Sequence, residues 1–333
     1  HPLQPDIADK PQMQVKRMLG GLLNGQRKRK NEKKWGFLMK NIVTTYLDKA
    51  YNDLKTTLAQ NNQSNCELSK FSFNNSLPNY TLPINCQFYI LKYFPAYLAE
   101  YKYIYDRLNY FNFNQFIEQY NVLSIGCGCG IDLLALYLHQ LKTPDFKYTG
   151  IDLIDWNYRC LFLPQKDNIR FVKADISNFI FENFEKINVI FFPKSIGELP
   201  VDIFKNFLNN FSKINFQSKR IAVLISAINP VEDFQKYCDV LSIIKKAGYD
   251  YIPNENGVRV INNMYCIKKQ YYGINTVVPD FDYPMNIKNN ILVLKQICTH
   301  CSSSLRNSCP LNDSPVLTTT KWSFNCNILE RVN

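Results

Sequence analysis

Three glycines spaced two residues apart, Gly126, Gly128 and Gly130, separate a short apolar segment from an amphipathic one. The apolar segment, residues 121–126, is predicted to be a strand, and residues 131–141 carry apolar side chains at helical intervals. Glycine permits positive φ angles and has no Cβ atom, so a ligand can approach the main chain closely at such a corner. Because open α/β sheets bind ligands at the carboxyl ends of their strands, the pattern predicts a ligand site here.

Short apolar runs alternate with amphipathic segments in the part of the chain that contains the glycines. Strands are predicted at residues 121–126, 146–152, 169–175, 187–193 and 220–228, and helices at residues 131–141, 156–164, 201–213 and 231–248. This alternation predicts an α/β fold, a Rossmann-like and mostly parallel sheet with helices on both faces. Two later runs, residues 263–270 and 290–298, are predicted to be further strands that form an antiparallel edge pair.

Helical segments are predicted before the sheet, as an N-terminal cap. Phe37, Ile42, Tyr46 and Ala50 recur at helical intervals, and the aromatic stretch that follows has a period suited to packing on a sheet or roofing a pocket. Its tyrosines are interpreted as core and interface residues, with a base-stacking platform as the alternative. The predicted segments are a helical and basic N-terminus (1–84), an aromatic helical cap (85–120), a Rossmann-like domain (121–297) and a cysteine-containing tail (298–333).

Two acidic residues follow the next two predicted strands. Asp152 ends the second strand, at the distance beyond the glycines where nucleotide-binding folds place a carboxylate that accepts hydrogen bonds from ribose hydroxyls. Asp175 ends the third strand, where it could accept a hydrogen bond from an exocyclic amine such as that of adenine. Each could be a turn aspartate, but with the glycines they favour a nucleoside-containing ligand. The glycine spacing departs from G-x-G-x-x-G, since position 131 is Ile, which argues against NAD or FAD.

Residues 121 to about 226 resemble the class I S-adenosylmethionine-dependent methyltransferases. The resemblance implies that the loop from Gly126 through Cys127 and Gly128 to Gly130 lies under the amino-acid part of S-adenosylmethionine (SAM). It also implies that Asp152 holds the ribose and that Asp175 meets the adenine amine.

The resemblance extends to residues beside these motifs. Leu153 and Ile176, each following its acid, are expected to line the adenine slot, and Pro193 is expected to contact the cofactor. Many members carry an acid in the first strand, two residues before the first glycine. This chain has Ser124 there, and Asp132 is expected to replace that acid in part.

The methyl acceptor of such an enzyme would meet the residues after the fourth strand. This region lacks the Asn-Pro-Pro-Tyr and Pro-Cys sequences of two well-known acceptor classes, so it does not name the accepting atom. Glu198 is a candidate general base, or alternatively a carboxylate at the start of the next helix. Lys194 would pair with a phosphate or carboxylate of the substrate, or alternatively face solvent.

A group of cysteines near the end of the sequence has partial metal-ligand spacing. Cys298 and Cys301 are two residues apart, as in a zinc knuckle, and Cys309 and Cys326 could complete four ligands. Three interpretations stay open at this point: a zinc site, disulfides in a secreted protein, or free thiols.

The net charge of the chain indicates which kind of partner it would bind. Lys and Arg number 39 against 28 Asp and Glu, a net charge of +11, and residues 27–34 form a basic run that is either a solvated surface or a docking patch. This favours RNA or another anionic macromolecule as acceptor, ahead of a small molecule or protein.

Scattered cysteines favour the cytoplasm or nucleus, although several Asn-X-Ser/Thr triplets leave secretion open. No apolar run is long enough to predict a transmembrane segment.

The alternative to an active enzyme is a catalytically silent, methyltransferase-like binding subunit. The missing first-strand acid and the undiagnostic fourth-strand sequence are compatible with it.

Overall fold

The computed structural model describes residues 38–60, 68, 71, 78–140, 145–159, 161, 167–228, 230–252, 265–267, 270–272, 275–277, 283–297, 309–311, 316–317 and 322–332. Within these residues the strands are β1 (Tyr120–Ile125), β2 (Phe146–Asp152), β3 (Ile169–Lys173), β4 (Val189–Pro193), β5 (Arg220–Ala227), β6 (Tyr249–Tyr251), β7 (Tyr265–Ile267), β8 (Gln270–Tyr272), β9 (Asn275–Val277) and β10 (Trp322–Arg331). The helices are α1 (38–60), α2 (Pro83–Tyr110), α3 (Ile131–His139), α4 (Val201–Phe211), α5 (Pro230–Lys246) and α6 (Met285–Ile297). Short 3-10 helices cover Phe113–Phe116 and Ile196–Glu198.

A mostly parallel sheet carries the fold, as the alternating pattern predicts. Its strands lie in the order β3-β2-β1-β4-β5-β10-β6, and β9 also pairs with β10. The five strands from β3 to β5 are parallel, whereas β10 runs antiparallel between β5 and β6. The chain order reverses on the two sides of β1, between β2 and β4. Ligands of open α/β sheets bind at such a switch point.

Helices cover both faces of the sheet, which explains why every residue of β4 and β5 is buried. Alternate side chains of each strand point to opposite faces. Phe192 packs in one core cluster with α4 and α5, and its ring centroid lies 6.1 Å from that of Phe207 on α4. Phe191 instead meets α2, with ring centroids 5.3 Å from Tyr101 and Tyr105.

Helix α2 confirms the predicted helical character of the aromatic stretch. It runs for 28 residues and begins with Pro83, whose missing N–H costs nothing in a first turn. Tyr89, Tyr93, Tyr97 and Tyr101 recur every fourth residue, and successive ring centroids are 5.3, 5.2 and 5.8 Å apart. This tyrosine ladder lies along one side of the helix, so it brings several hydroxyl-bearing rings to the sheet.

Two predicted elements differ from the structure. Residues 290–298 are predicted as a strand, but residues 290–297 belong to helix α6, where Ile287, Ile291 and Leu294 are buried at helical spacing. A short apolar run fits either period, and here the helical period prevails. No helix forms in the described part of residues 156–164, where residues 157–159 make a turn. Residues 263–270 do contain a strand, β7, which pairs with β8 in a separate two-stranded sheet.

Strand β10 corrects the predicted boundary at residue 297. Phe324, Cys326 and Ile328 alternate with polar residues along it, and both sets are buried because β10 lies inside the sheet. Glu330 pairs with Arg220 of β5 at 3.1 Å, directly across the ladder. Residues 322–331 are therefore part of the α/β domain and not of a separate tail.

The chain divides into two compact units, His1–Thr44 and Thr45–Asn333. Of the first unit only residues 38–44 are described, and the basic run at residues 27–34 lies outside the described residues. Among the helices that are described, none has the length and apolar character needed to cross a membrane.

Candidate cofactor and acceptor site

A cleft of about 410 Å³ opens at the carboxyl ends of β1, β2, β3 and β4. This volume is in the usual range for small-molecule sites. The cleft wall includes two of the predicted loop glycines, both predicted acids with the residue after each, and residues at and after the end of β4. Those wall residues are Gly126, Gly128, Asp152, Leu153, Asp175, Ile176, Pro193, Lys194 and Glu198.

The loop after β1 has the conformation that its glycines predict. Gly126, Gly128 and Gly130 have φ angles of +69°, +55° and +80°. A Cβ atom on Gly126 would overlap the Cβ atom of Ser195, whereas one on Gly128 would meet only the Trp156 ring, at 3.8 Å. The main chain of Gly128 therefore borders open space in the cleft.

Asp152 joins the end of β2 to this loop. Its Oδ2 accepts a hydrogen bond from the Gly128 N–H at 2.8 Å, and its Oδ1 accepts one from the Ile154 N–H at 2.9 Å. Burial raises the pKa of Asp152, and these two hydrogen bonds oppose the rise. The neighbouring Leu153 has 65% of its surface exposed at the mouth of the cleft, where a flat ligand could cover it.

Asp175 follows β3 on the same edge of the sheet. Its Oδ1 accepts hydrogen bonds from the N–H and Oγ of Ser177, at 2.9 and 2.7 Å. Its Oδ2 accepts none from the described residues, so this oxygen stays available to a ligand. Ile176 beside it is buried and also lines the cleft.

Three predicted cofactor residues lie outside the cleft wall. Cys127 and Asp132 are buried, and Gly130 caps the start of α3. The Tyr148 hydroxyl donates to Asp132 Oδ2 at 2.8 Å, and burial raises the pKa of Asp132 to about 6. In this arrangement Asp132 contributes to the packing of α3 on the sheet, rather than to the surface that a ligand would meet.

Four aromatic rings complete the wall, and sequence reasoning assigned none of them to the site individually. Tyr80, Tyr89 and Tyr97 come from α2 and the segment before it, and Trp156 from the loop after β2. The Trp156 ring centroid lies 4.8 Å from that of Tyr80 and 5.3 Å from that of Tyr89. The available signal was the density of aromatic residues before β1, which predicted the roof of a pocket but not which rings form it.

Lys194 directly follows β4 and is buried, contrary to the alternative that it faces solvent. Its backbone has a φ of +59°, which is uncommon for a residue with a side chain. Its Nζ lies 2.9 Å from Glu100 Oε1 and 4.9 Å from the centroid of the Tyr97 ring. The positive charge at this end of the cleft is thus paired with a carboxylate of α2.

Glu198 ends the 3-10 helix after β4 and is not in the first turn of α4, where Asp202 is the acidic residue. Burial, followed by the carboxylates of Asp152 and Asp233, raises the pKa of Glu198 to about 8. The side chain is nevertheless accessible through the open cleft. Water therefore weakens the shift, and an apolar ligand that displaces this water strengthens it.

Of the four cysteines considered as zinc ligands, the structure describes two, Cys309 and Cys326. Cys298 and Cys301 lie outside the described residues. Cys326 is a buried thiol of β10, and Cys309 is buried as well. Among the described residues, no group of three or more His, Cys, Asp and Glu side chains could hold a metal ion.

Comparison of the sequence with protein-family models and with curated proteins finds no match. Comparison with solved structures finds similar chains. The plantazolicin methyltransferase BpumL, in complex with S-adenosylhomocysteine (SAH), is 14% identical with a TM-score of 0.37, over 86% of this chain and 99% of that one. The N-methyltransferase NodS from Bradyrhizobium japonicum, also with SAH, is 11% identical with a TM-score of 0.38, over 84% and 100%.

A third similar chain is a TehB-like SAM-dependent methyltransferase from Corynebacterium glutamicum. It is 16% identical with a TM-score of 0.30, over 50% of this chain and 92% of that one. Likeness at these values is weak, so the strand order and the cleft carry the assignment of the fold. The parallel sheet has its switch point at β1, and the glycine loop after β1 and the acids after β2 and β3 meet at the cleft there. The chain has a Rossmann-like α/β fold.

Proposed function

We propose that the protein is a SAM-dependent methyltransferase. The observation that carries the proposal is the convergence of Gly126, Gly128, Asp152 and Asp175 on one cleft at the carboxyl edge of the parallel strands. A nucleoside ligand needs this combination, because it presents ribose hydroxyls and an exocyclic amine as hydrogen-bond donors and a flat base that must pass close to the main chain.

Each part of the cofactor has a suitable partner in the cleft. Asp152 would accept hydrogen bonds from the ribose, and the available Oδ2 of Asp175 would accept one from the adenine amine. Leu153 and Ile176 would pack on the adenine ring, while the amino-acid part would lie along the open main chain at Gly128.

Bound SAM would supply a methyl group on a positively charged sulfur, ready for attack by a nucleophile. The protein's own contribution is then to hold the acceptor in line and to exclude water, which suits a cleft whose remaining wall is largely aromatic. Proximity and orientation account for much of the acceleration of such bimolecular reactions.

The test is a calorimetric titration of the protein with SAH. We expect micromolar binding to the wild type and at least about tenfold weaker binding to Asp152→Ala, since hydrogen bonds to a charged group are lost. Asp167→Ala, which changes an exposed aspartate, is the matched control and should bind like the wild type. Circular dichroism melts of all three would show that they are folded. A folded wild-type protein that does not bind SAH would overturn the proposal.

A further inference from the structure

The cleft extends beyond the residues that would hold the cofactor. The glycine loop, Asp152 and Asp175 account for one part of the wall, and the rest is formed by the aromatic rings, Lys194 and Glu198. Methyl transfer requires the acceptor to lie next to the cofactor, so this remaining part is where the acceptor binds. Its chemistry should therefore match the acceptor.

The charges of this part do not suit an anion. Lys194 supplies the one positively charged side chain among the described residues of the cleft wall, and Glu100 already neutralises it at 2.9 Å. Three carboxylates, those of Asp152, Asp175 and Glu198, line the same cleft. The net charge of +11 therefore lies elsewhere on the chain, and a phosphate or carboxylate in the cleft would meet acidic side chains and no unpaired cation among the described wall residues.

The same wall suits a cation. Tyr80, Tyr97 and Glu198 line the same cleft; burial is the main cause of the raised pKa of both tyrosines, and the Glu198 carboxylate adds to it. This carboxylate also interacts with Asp152, the predicted ribose ligand. Glu198 thus interacts electrostatically with residues of both the cofactor part and the aromatic part of the cleft. An ammonium group there would gain both a carboxylate partner and the attraction of aromatic ring faces.

The main chain on both sides of Glu198 is held firmly. Lys236 of α5, which is buried, donates hydrogen bonds from Nζ to the carbonyls of Gly197 and Leu199, at 3.1 and 2.8 Å. Gly197 also packs so closely against the Asp233 carboxylate that a Cβ atom there would overlap it. A side chain at the cleft rim that contacts no ligand does not need its main chain fixed in this way. A side chain that must be positioned against a substrate atom does need it.

We propose that the methyl acceptor is an organic amine, which enters the cleft as a cation and is bound by Glu198 among the tyrosine rings. This inference rests on the proposed methyltransferase function and specifies its substrate class. It replaces the anionic acceptor expected from net charge with one selected by the charges inside the cleft.

The reaction also needs a proton acceptor at this position. An ammonium nitrogen has no lone pair, so Glu198 first takes one proton from it and becomes a neutral carboxylic acid. The nitrogen lone pair then forms the new C–N bond as the C–S bond of the sulfonium breaks, and the electron pair of that bond stays on sulfur. The products are the methylated ammonium and neutral SAH, and Glu198 returns its proton to solvent.

The test measures which charge the SAH-loaded protein prefers. Benzylamine, phenethylamine and tryptamine would each be titrated into it beside a carboxylic acid with the same aryl group and a similar chain length. We expect the amines to bind at least about tenfold more tightly than the matched acids. Glu198→Gln should abolish this preference, while Glu182→Gln, which alters an exposed side chain, should retain it.

Three binding results would overturn the inference: acids that bind as tightly as amines, no binding of any amine, or a preference that survives Glu198→Gln. Formation of SAH from SAM with a short RNA oligonucleotide, but with none of the amines, would also overturn it in favour of an anionic acceptor. SAH binding to the same samples is measured first. Its failure would count against the methyltransferase function, whereas SAH binding without amine preference would count against the amine alone.

Discussion

Lys194 Nζ lies 2.9 Å from Glu100 Oε1, and both side chains are buried at the junction of α2 with the sheet. The Ser226 hydroxyl donates to the same carboxylate oxygen, and the other oxygen, Oε2, has no hydrogen-bond partner among the described residues. Burial raises the pKa of Glu100, and Lys194 opposes the rise. The Lys194–Glu100 ion pair therefore links α2, which forms part of the cleft wall, to the end of β4.

Removal of the lysine charge should destabilise the protein strongly. Lys194→Met leaves Glu100 buried without its partner, a change that costs about 3–5 kcal/mol in other proteins. The double variant Lys194→Met/Glu100→Gln should recover much of that loss, because no unpaired charge remains. Urea denaturation would measure both, with the exposed Lys186→Met as control. Equal destabilisation by the single and double variants would show that the pair is not coupled.

Two glycines of the same loop should differ in their tolerance of a methyl group. Both Gly126 and Gly128 have positive φ, so alanine at either position costs about 1–2 kcal/mol from backbone strain. Gly126→Ala should cost clearly more, because its methyl group would overlap Ser195, whereas the Gly128 position has room. Thermal unfolding of the two variants would test this order, and a lower midpoint for Gly128→Ala would contradict it.

Asp132 should make stability depend on pH between about 4 and 6. Its pKa is raised to about 6 in the folded protein, so over this interval the native state binds more protons than the unfolded state. Stability should fall as the pH rises through that window, by roughly 2–3 kcal/mol for a shift of about two units. Asp132→Asn can still accept the Tyr148 hydrogen bond and should flatten this dependence, whereas the exposed Asp167→Asn should leave it unchanged.

Amine binding to the SAH-loaded protein should also depend on pH, with the opposite sign. The pKa of Glu198 is raised to about 8, so the carboxylate that attracts the cation forms as the pH increases towards that value. Phenethylamine affinity should therefore rise with pH up to about 8, by less than the full shift implies because water reaches Glu198, and then fall near pH 10 as the amine itself loses its proton. Glu198→Gln should remove the rise but not the fall. The charged and titratable groups around this residue are Tyr80, Tyr97, Asp152, Lys194, Asp233 and Lys236.

The sequence predicted those features of the fold and the site that depend on residues close together in the chain. The short apolar runs of the parallel strands, the glycines between β1 and α3, and the acids after β2 and β3 are all local features of the sequence. The predictions from these patterns placed Gly126, Gly128, Asp152 and Asp175 at one edge, and the cleft confirms that they share it.

The parts that could not be predicted depend on contacts between distant segments. Glu100 neutralises Lys194, and Tyr80 meets Trp156, only because α2 and the segment before it fold back over the sheet. From the sequence alone, Lys194 was therefore interpreted as a possible partner of a substrate anion, because its ion pair with Glu100 is not visible there. Strand β10 was missed for the same reason, since its alternation of apolar and polar residues gives no indication that it lies between two other strands.

The position of β10 also has a consequence for biosynthesis. Ribosomes make β1 to β5 first, and the outer edge of β5 must wait for residues 322–331 before it is paired on that side. Until then the nascent chain carries a mostly apolar strand, buried throughout in the folded protein, with open hydrogen-bonding groups, the kind of edge along which chains aggregate. Expression yield should thus be limited by how quickly the last strand reaches its place, and chaperones that shield strand edges should raise it.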